Sequence, residues 1–199
     1  MSALQYWTIY KPYGMLSQFS REGKRPTLAD LKFCFPKKVY PVGRLDADSE
    51  GLLILTNDKT LTEYLLNPIY EHTRTYLVQT EQIPTIEAIQ ALQNGVTIRI
   101  DNKLYCTKPA QVRLLQEEPV LPVRIPPIRY RAHIPTAWLE IKLKEGKNRQ
   151  IRKMTASVGF PTLRLVRYAI EHLTIEKNMI PGSIVEWKAE DIKKLLLLK

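Results

Sequence analysis

Residues 43–58 read GRLDADSEGLLILTND and join a polar loop to an apolar run. The run at residues 52–55 contains no polar side chain, which is typical of a β-strand buried on both faces. Asn57 or Asp58 follows the run and can cap a helix that extends to Leu66. The loop before the run carries three carboxylates within five residues, between two glycines. Loops held by buried strands are where functional residues concentrate, so this loop is the first candidate site.

Strand-like segments outnumber helical ones along the rest of the chain. We expect a hairpin that turns at Asp101 and Asn102, and a helix that starts at Pro84. Since several neighbouring strands are linked by hairpins, the predicted fold is α+β, with a central mixed, mostly antiparallel sheet flanked by helices. The predicted strands cover residues 4–10, 39–42, 51–56, 73–80, 96–100, 103–106, 110–115, 137–143, 162–166, 171–175 and 183–187. The other predicted helices cover residues 27–31, 84–94 with an apolar face of Ile86, Ile89 and Leu92, 149–158, and 190–198.

Basic residues exceed acidic ones and are concentrated in the second half of the chain. The 30 lysines and arginines against 20 acids give a formal net charge of +10, which indicates a polyanionic partner such as nucleic acid. Residues 142–167 contain eight basic residues and one acid, Glu145. Clustered basic side chains bind phosphates and release counterions, so we expect residues 142–167 to form a nucleic-acid-binding surface. Residues 119–139 contain no acid and add Arg124, Arg129 and Arg131.

Composition excludes several other classes of protein. Cys34 and Cys106 are the only cysteines, too few for a disulfide-stabilised mini-protein, and they indicate a reducing compartment. No apolar run approaches the roughly 20 residues of a membrane-spanning helix, and no secretory signal is visible, so we expect a cytoplasmic protein without a membrane partner. His72, His133 and His172 are scattered, and no glycine-rich phosphate loop occurs. We therefore expect neither a metal nor a cofactor.

The carboxylates Asp46, Asp48 and Glu50 leave two interpretations open. A polar surface turn is the simpler one. The other is catalysis, because a carboxylate on a nucleic-acid-binding surface repels phosphate but can act chemically on a sugar or a base. The residues of the loop alone do not choose between these interpretations.

Four further segments accompany residues 43–58 and together indicate one family. They are residues 11–14 (KPYG), 74–78 (RTYLV), 145–154 (EGKNRQIRKM) and 159–167 (GFPTLRLVR). In this order the five segments resemble the RsuA-type ribosomal RNA pseudouridine synthases, and the resemblance covers nearly the whole chain. Tyr10 departs from the asparagine that usually precedes the first segment in that family. Residues 126–129 and 134–138 are most similar to the E type of the family, which modifies RNA of the large ribosomal subunit.

The resemblance implies a pseudouridine-synthase fold over residues 1–199, as one catalytic domain or as two subdomains that share a sheet. Many members carry an N-terminal S4 RNA-binding domain, but this chain starts almost at the first segment, so we expect no S4 domain. The implied activity is isomerisation of uridine to pseudouridine in ribosomal RNA of the large subunit, 23S rRNA, after the target base has flipped out of its stack. We expect a monomer with no small-molecule cofactor.

Three catalytic residues are implied by the matching positions. Asp46 is the essential carboxylate, which either attacks C1′ of the ribose or removes the C2′ proton. Arg152 is the cation that pairs with Asp46 in the free enzyme, although 106 residues separate them, and Arg149 is its rival one helical turn away. Tyr76 is the aromatic residue beside the target base.

Other residues are expected to bind the RNA or to support the loop. Arg44 precedes the loop and is expected to contact the flipped nucleotide or the gap that it leaves. Leu165, or alternatively Leu163, would pack under the base. Asp48 and Glu50 are expected to brace the loop through hydrogen bonds. The remaining predicted substrate contacts are Lys147, Arg149, Lys153 and Arg167.

Two other functions compete with the synthase interpretation. A non-catalytic RNA-binding or ribosome-assembly protein could use a degenerate form of the fold, but Asp46, Tyr76 and Arg152 are all present. An N-glycosidase could use Asp46 and Asp48 as paired carboxylates, but no motif outside this loop indicates a second catalytic acid, and the chain carries the complete set of synthase segments.

Overall fold

The computed structural model describes residues 3–128 and 133–197, so Arg129 and Arg131 of the predicted basic segment lie outside the described residues. The chain divides into two compact units. Unit 1 consists of Met1–His72 and Arg167–Lys199, and unit 2 consists of Thr73–Val166.

The described elements follow the strand-rich order expected from the sequence. The helices are α1 (Lys59–Leu66), α2 (Ile86–Asn94), α3 (Gln150–Ser157) and α4 (Ala189–Leu195), with short 3-10 turns at Leu28–Asp30 and Pro68–Tyr70. The strands are β1 (Tyr6–Lys11), β2 (Tyr40–Pro41), β3 (Glu50–Thr56), β4 (Arg74–Glu81), β5 (Thr97–Ile100), β6 (Lys103–Cys106), β7 (Gln111–Leu114), β8 (Thr136–Leu143), β9 (Thr162–Ile170), β10 (Leu173–Thr174) and β11 (Ile184–Trp187). The predicted α+β class with a mixed sheet is confirmed.

Unit 1 is built around β3, all seven residues of which are buried. Its strands lie in the order β11-β1-β3-β9, with β1 antiparallel to both β11 and β3. The short strands β2 and β10 pair with β3 and β9. Trp7, Leu53 and Leu55 pack on one face with a group of phenylalanines, and the rings of Trp7 and Phe35 meet edge to face at 5.9 Å. The buried apolar run of the sequence is therefore the centre of this unit.

Asp58 begins α1 and fixes it to β1. One carboxylate oxygen of Asp58 accepts a hydrogen bond from the backbone nitrogen of Leu61 at 3.0 Å, which is the N-cap that the sequence predicts. The other oxygen accepts from the Tyr6 hydroxyl at 2.7 Å. The direction in which the chain leaves β3 is therefore set by a buried side chain.

Unit 2 has its own hydrophobic core, and its strands β4, β8 and β7 are antiparallel to their neighbours in this group. Its strands lie in the order β9-β4-β8-β7, and β4 pairs with β8 over eight residues. Strands β5 and β6 form the predicted hairpin, in which Asp101 and Asn102 both have positive φ, as a tight two-residue turn requires. Helices α2 and α3 pack on the sheet through Leu92 and Met154, both fully buried.

Two local predictions are wrong. Helix α2 starts at Ile86 rather than at Pro84, because the Thr85 side chain caps it by accepting from the backbone nitrogen of Ala88 at 3.3 Å. Ile86 is 70% exposed, since the buried face is centred on Ala88 and Leu92, four residues apart. The strand expected at 171–175 is only Leu173–Thr174, because Glu171 adopts a left-handed conformation that turns the chain.

Gly51 lies where two backbone segments of unit 1 come closest. Its φ is +109°, and a Cβ atom placed on it would overlap the carbonyl oxygen of Arg167 and lie 2.8 Å from the Arg167 nitrogen. Both the conformation and the space therefore require glycine here. The tight contact fixes the start of β3 directly after the carboxylate loop.

We expect the substitution Gly51→Ala to lower the free energy of unfolding by roughly 2–4 kcal/mol, because it combines backbone strain with a clash against backbone atoms. Urea titration followed by circular dichroism measures this. Gly146→Ala is the matched control, since Gly146 has no atom within 4 Å of a built Cβ, and its effect should stay within about 0.5 kcal/mol. Equal urea midpoints for the two variants would contradict the prediction.

Candidate active site

The loop that carries Asp46 is held by the segment that follows β1. The Ser17 hydroxyl donates to the carbonyl oxygen of Leu45 at 2.9 Å and accepts from the Leu45 nitrogen at 3.0 Å. On the other side of Asp46, the carbonyl oxygen of Ala47 accepts from the Gly14 nitrogen at 2.7 Å. Asp46 itself is half-buried. Backbone hydrogen bonds on both sides therefore fix the position from which its carboxylate projects.

Lys11 lies beneath this loop with its side chain fully buried. Its ammonium nitrogen is 2.6 Å from the carbonyl oxygen of Met15, 2.8 Å from that of Pro12 and 3.5 Å from that of Ala47. All three oxygens accept hydrogen bonds, and three donors are what a lysine ammonium offers. The lysine therefore links the end of β1 both to the turn that follows it, through Pro12 and Met15, and to the Asp46 loop, through Ala47.

Opposing effects act on the charge of Lys11. Burial, the largest effect, lowers its pKa; the carboxylates of Glu50, Asp48 and Asp46 raise it, and Arg167 lowers it. Together these effects lower the pKa of Lys11 from 10.5 to about 7. Glu50 is buried at the start of β3, and its bracing of the loop through hydrogen bonds stays a prediction. The loop therefore places three negative charges close to one buried lysine.

Neither Lys11 nor Ser17 was predicted from the sequence to be a functional residue. Lys11 lies in a segment used only for the family resemblance, and Ser17 lies in a segment without any motif. One available signal was a lysine that follows residues 6–10 (YWTIY), four of which are apolar or aromatic, since a lysine at the end of a buried strand must find acceptors. Nothing in the sequence identifies the partner of Ser17.

Not all of the basic residues of 142–167 lie on the surface. Arg164 is buried and its guanidinium donates to the carbonyl oxygen of Pro122 at 2.8 Å. Arg167 is 5% exposed and its Nε donates to the carbonyl oxygen of Leu52 at 2.8 Å. The expectation that these two arginines lie on an exposed surface is wrong, because both bind backbone carbonyls inside their units. A substrate contact of Arg167 stays a prediction.

The remaining predicted RNA contacts are more accessible. Arg44 is exposed in unit 1 and donates to the Gln18 side chain at 3.2 Å. In unit 2, Lys147 and Arg149 are exposed in the loop before α3, and Lys153 is half-buried within the helix. The exposed basic residues of 142–167 are therefore Lys144, Lys147 and Arg149.

Unit 2 carries the other predicted site residues. Tyr76 is half-buried in β4 beside the core of the unit, and Leu165 is buried within that core. Arg152 lies on α3, where one guanidinium nitrogen donates to the carbonyl oxygen of Thr162 at 3.2 Å. Its pairing with Asp46 stays a prediction.

Residues 3–128 and 133–197 contain no group of three His, Cys, Asp or Glu side chains arranged to hold a metal ion. Within the same ranges, no helix has the length and apolar character needed to cross a membrane.

Comparison with known proteins identifies the family. A family model described as RNA pseudouridylate synthase matches residues 5–157, which include both the Asp46 loop and the whole of α3. The chain belongs to the RNA pseudouridylate synthase family. This confirms the resemblance carried by the five sequence segments.

Relatives within the RNA pseudouridylate synthase family match over most of the chain. A protein of Xanthomonas axonopodis pv. citri named ribosomal large subunit pseudouridine synthase E is 51% identical over 162 residues, which are 81% of this chain and 83% of the relative. A Vibrio vulnificus protein of the same name is 49% identical and covers 89% of this chain and 71% of the relative. Ribosomal large subunit pseudouridine synthase B of Bacillus subtilis is 30% identical over 97% of this chain and 72% of the relative.

Solved structures of this family share the fold. A pseudouridylate synthase crystal structure covers 98% of this chain and 75% of its own, with a TM-score of 0.79 and 23% identity. Human RNA pseudouridylate synthase domain containing 1 covers 94% of this chain and 80% of its own, with a TM-score of 0.58 and 14% identity. The predicted pseudouridine-synthase fold is therefore confirmed.

We expect the stability of the protein to rise with pH above 7 because of Lys11. Its pKa is about 7 in the folded protein and near 10.5 when exposed, so between these values the unfolded chain binds more protons. The free energy of unfolding should therefore increase by up to about 1.4 kcal/mol per pH unit through this group.

Urea titrations of the natural protein and of Lys11→Met between pH 7.5 and 9.5 measure this contribution. The difference between the two proteins cancels the other titrating groups. We expect the free energy of unfolding to rise more steeply with pH in the natural protein. Parallel profiles would show that Lys11 keeps its ordinary pKa in the folded state.

Proposed function

We propose that the protein isomerises a specific uridine to pseudouridine in ribosomal RNA of the large subunit, 23S rRNA, with Asp46 as the catalytic carboxylate. The observation that carries this proposal is the half-buried Asp46 on a loop held on both sides by backbone hydrogen bonds. Relatives that are 45–51% identical and named ribosomal large subunit pseudouridine synthase E support the choice of RNA. We further propose that the protein acts as a monomer in the cytoplasm.

The reaction requires no group from outside the protein and its substrate. The N1–C1′ glycosidic bond of uridine breaks, the uracil ring turns, and a C5–C1′ bond forms. C5 loses its proton, and N1, which is bonded to C1′ and carries no hydrogen in uridine, gains one. Atoms therefore balance and nothing is oxidised or reduced. An ionised carboxylate next to the ribose can serve either as a nucleophile at C1′ or as a base at C2′.

Access to C1′ requires the target nucleotide to leave its stack. Base flipping exposes both the sugar and the uracil, and it costs a few kcal/mol that contacts with the protein must offset. We propose that Tyr76 stacks on the flipped base, that Leu165 packs beneath it, and that Arg44 contacts the RNA at the flipped position. Arg167 is proposed to act from its buried position, and phosphate contacts come from Lys147, Arg149 and Lys153.

We expect Asp46→Asn to abolish pseudouridine formation while RNA binding persists. The amide has nearly the same shape but can act neither as a nucleophile nor as a base. Pseudouridine mapping of 23S rRNA, from cells that lack the protein and carry either the natural gene or the variant, measures the activity. Asp48→Asn is the matched control in the same loop and should keep activity. If the purified Asp46→Asn protein still formed pseudouridine, the catalytic carboxylate would have to be another residue.

Arg152 is proposed to be the cation that orients Asp46. Replacing it by alanine should lower kcat much more than it changes KM, because the carboxylate loses its orientation while the RNA keeps its phosphate contacts. Arg152→Lys keeps the charge and should retain part of the activity. The Arg149→Ala variant provides the comparison, since Arg149 is exposed and should affect KM instead. If Arg149→Ala lost kcat while Arg152→Ala kept a normal kcat, Arg149 rather than Arg152 would be the cation that orients Asp46.

A further inference from the structure

Glu145, the acid within the basic segment 142–167, is buried and bound by three donors. Its Oε2 accepts from the Tyr105 hydroxyl at 2.5 Å. Its Oε1 accepts from the Lys108 backbone nitrogen at 2.9 Å and from the Gln150 side-chain amide at 2.5 Å. The hydrogen bond to this carboxylate raises the pKa of Tyr105 to about 12. Since Glu145 is 8% exposed and so well paired, its negative charge is withdrawn from the surface that would meet RNA.

Gln150 links Glu145 to the exposed loop through hydrogen bonds to both. The Gln150 side-chain oxygen accepts from the Lys147 backbone nitrogen at 2.9 Å, and the Gln150 backbone nitrogen donates to the Lys147 carbonyl oxygen at 3.1 Å. The Lys147 ammonium lies 5.1 Å from the centre of the Tyr105 ring, in a cation–π contact. Both the backbone and the side chain of Lys147 are therefore placed by the partners of Glu145.

Arg149 is held in an unusual backbone conformation in the same loop. Its φ is +51°, a left-handed value that costs a non-glycine residue about 1 kcal/mol. Arg149 is the N-cap residue of α3, and its carbonyl oxygen accepts from the Lys153 nitrogen at 3.1 Å. The exposed guanidinium of Arg149 therefore projects from a backbone position that is fixed at the start of α3.

We propose that Glu145 is a positioning residue that orders the loop 146–149 so that Lys147 and Arg149 contact phosphates of the substrate RNA. This inference rests on the proposed function only in requiring an RNA substrate. Ordering the loop before binding removes part of the entropy cost that two long basic side chains and their backbone would otherwise incur. A negative charge thereby strengthens the binding of a polyanion.

The inference is tested by whether removal of the Glu145 charge weakens or strengthens RNA binding. Glu145→Gln and Glu140→Gln each remove one negative charge from unit 2 and keep the side-chain shape. Glu140 instead pairs with the exposed Arg113 at 2.9 Å and with Lys142 at 3.7 Å, so its replacement reports the charge alone. Charge alone predicts tighter RNA binding for both variants. In Glu145→Gln, however, all three hydrogen bonds lose the assistance of a negative charge, and the new NH2 group faces the Tyr105 hydroxyl, which has to turn from donor to acceptor.

Filter binding with an in vitro transcript of 23S rRNA at several salt concentrations measures affinity, and tritium release from a transcript labelled at C5 of uridine measures kcat and KM. We expect Glu145→Gln to bind roughly fivefold or more weakly, with a shallower salt dependence, a higher KM and an unchanged kcat. Glu140→Gln should bind as the natural protein does or more tightly. Tyr105→Phe keeps the ring but removes one donor to Glu145, and it should shift KM in the same direction by less.

Binding of Glu145→Gln as tight as that of Glu140→Gln, or a loss of kcat with unchanged KM, would overturn the inference. If Glu145→Gln does not fold, the sign of the KM change in Tyr105→Phe decides the question. A natural protein that binds the transcript but forms no pseudouridine would refute the proposed function and leave the binding comparison valid. A natural protein that does not bind the transcript would refute both.

Discussion

A lysine without contact to water has to satisfy three donors at once, and this constraint organises unit 1. The Lys11 ammonium is surrounded by carbonyl oxygens from both ends of the adjoining turn and from the carboxylate loop. A buried charge without such partners would cost several kcal/mol. The end of β1, the turn after it and the loop with Asp46 therefore have to fold together. The same charge makes it possible to keep several carboxylates close to one another in this loop.

In unit 2 the charges are reversed, because a buried carboxylate, Glu145, lies beneath a loop with exposed basic residues. Its exposed loop 146–149 is rich in basic residues that repel one another, and a buried carboxylate stabilises the backbone beneath them. Beneath each loop a buried ion, Lys11 or Glu145, is opposite in sign to the carboxylates or the basic residues of that loop and is surrounded by hydrogen-bond partners. The exposed charges can then serve a substrate, because they no longer determine the local backbone.

Much of the fold could be predicted because its signals are local. The apolar run of β3, the Asp58 cap of α1 and the turn at Asp101 and Asn102 each depend on a few neighbouring residues. Failures occurred where distant contacts decide. Ile86 has the right spacing for a buried face, but the orientation of α2 is set by what packs against Ala88 and Leu92. For the site, the family resemblance indicated Asp46 as the candidate carboxylate, whereas Lys11, Arg164 and Arg167 bind backbone carbonyls that no residue pattern encodes.

The Glu145 network has a consequence for how such a surface can diversify. The shape of the loop 146–149 depends on Glu145, Tyr105 and Gln150 and on backbone atoms, not on the ends of the exposed side chains. Residues 147 and 148 can therefore be exchanged for others of different length or polarity while the scaffold is inherited unchanged. Position 149 is more restricted, because its left-handed backbone favours glycine, asparagine or aspartate over branched residues. A lineage of such proteins could tune its affinity for RNA by changing two adjacent codons, because phosphate contacts set affinity without reading sequence.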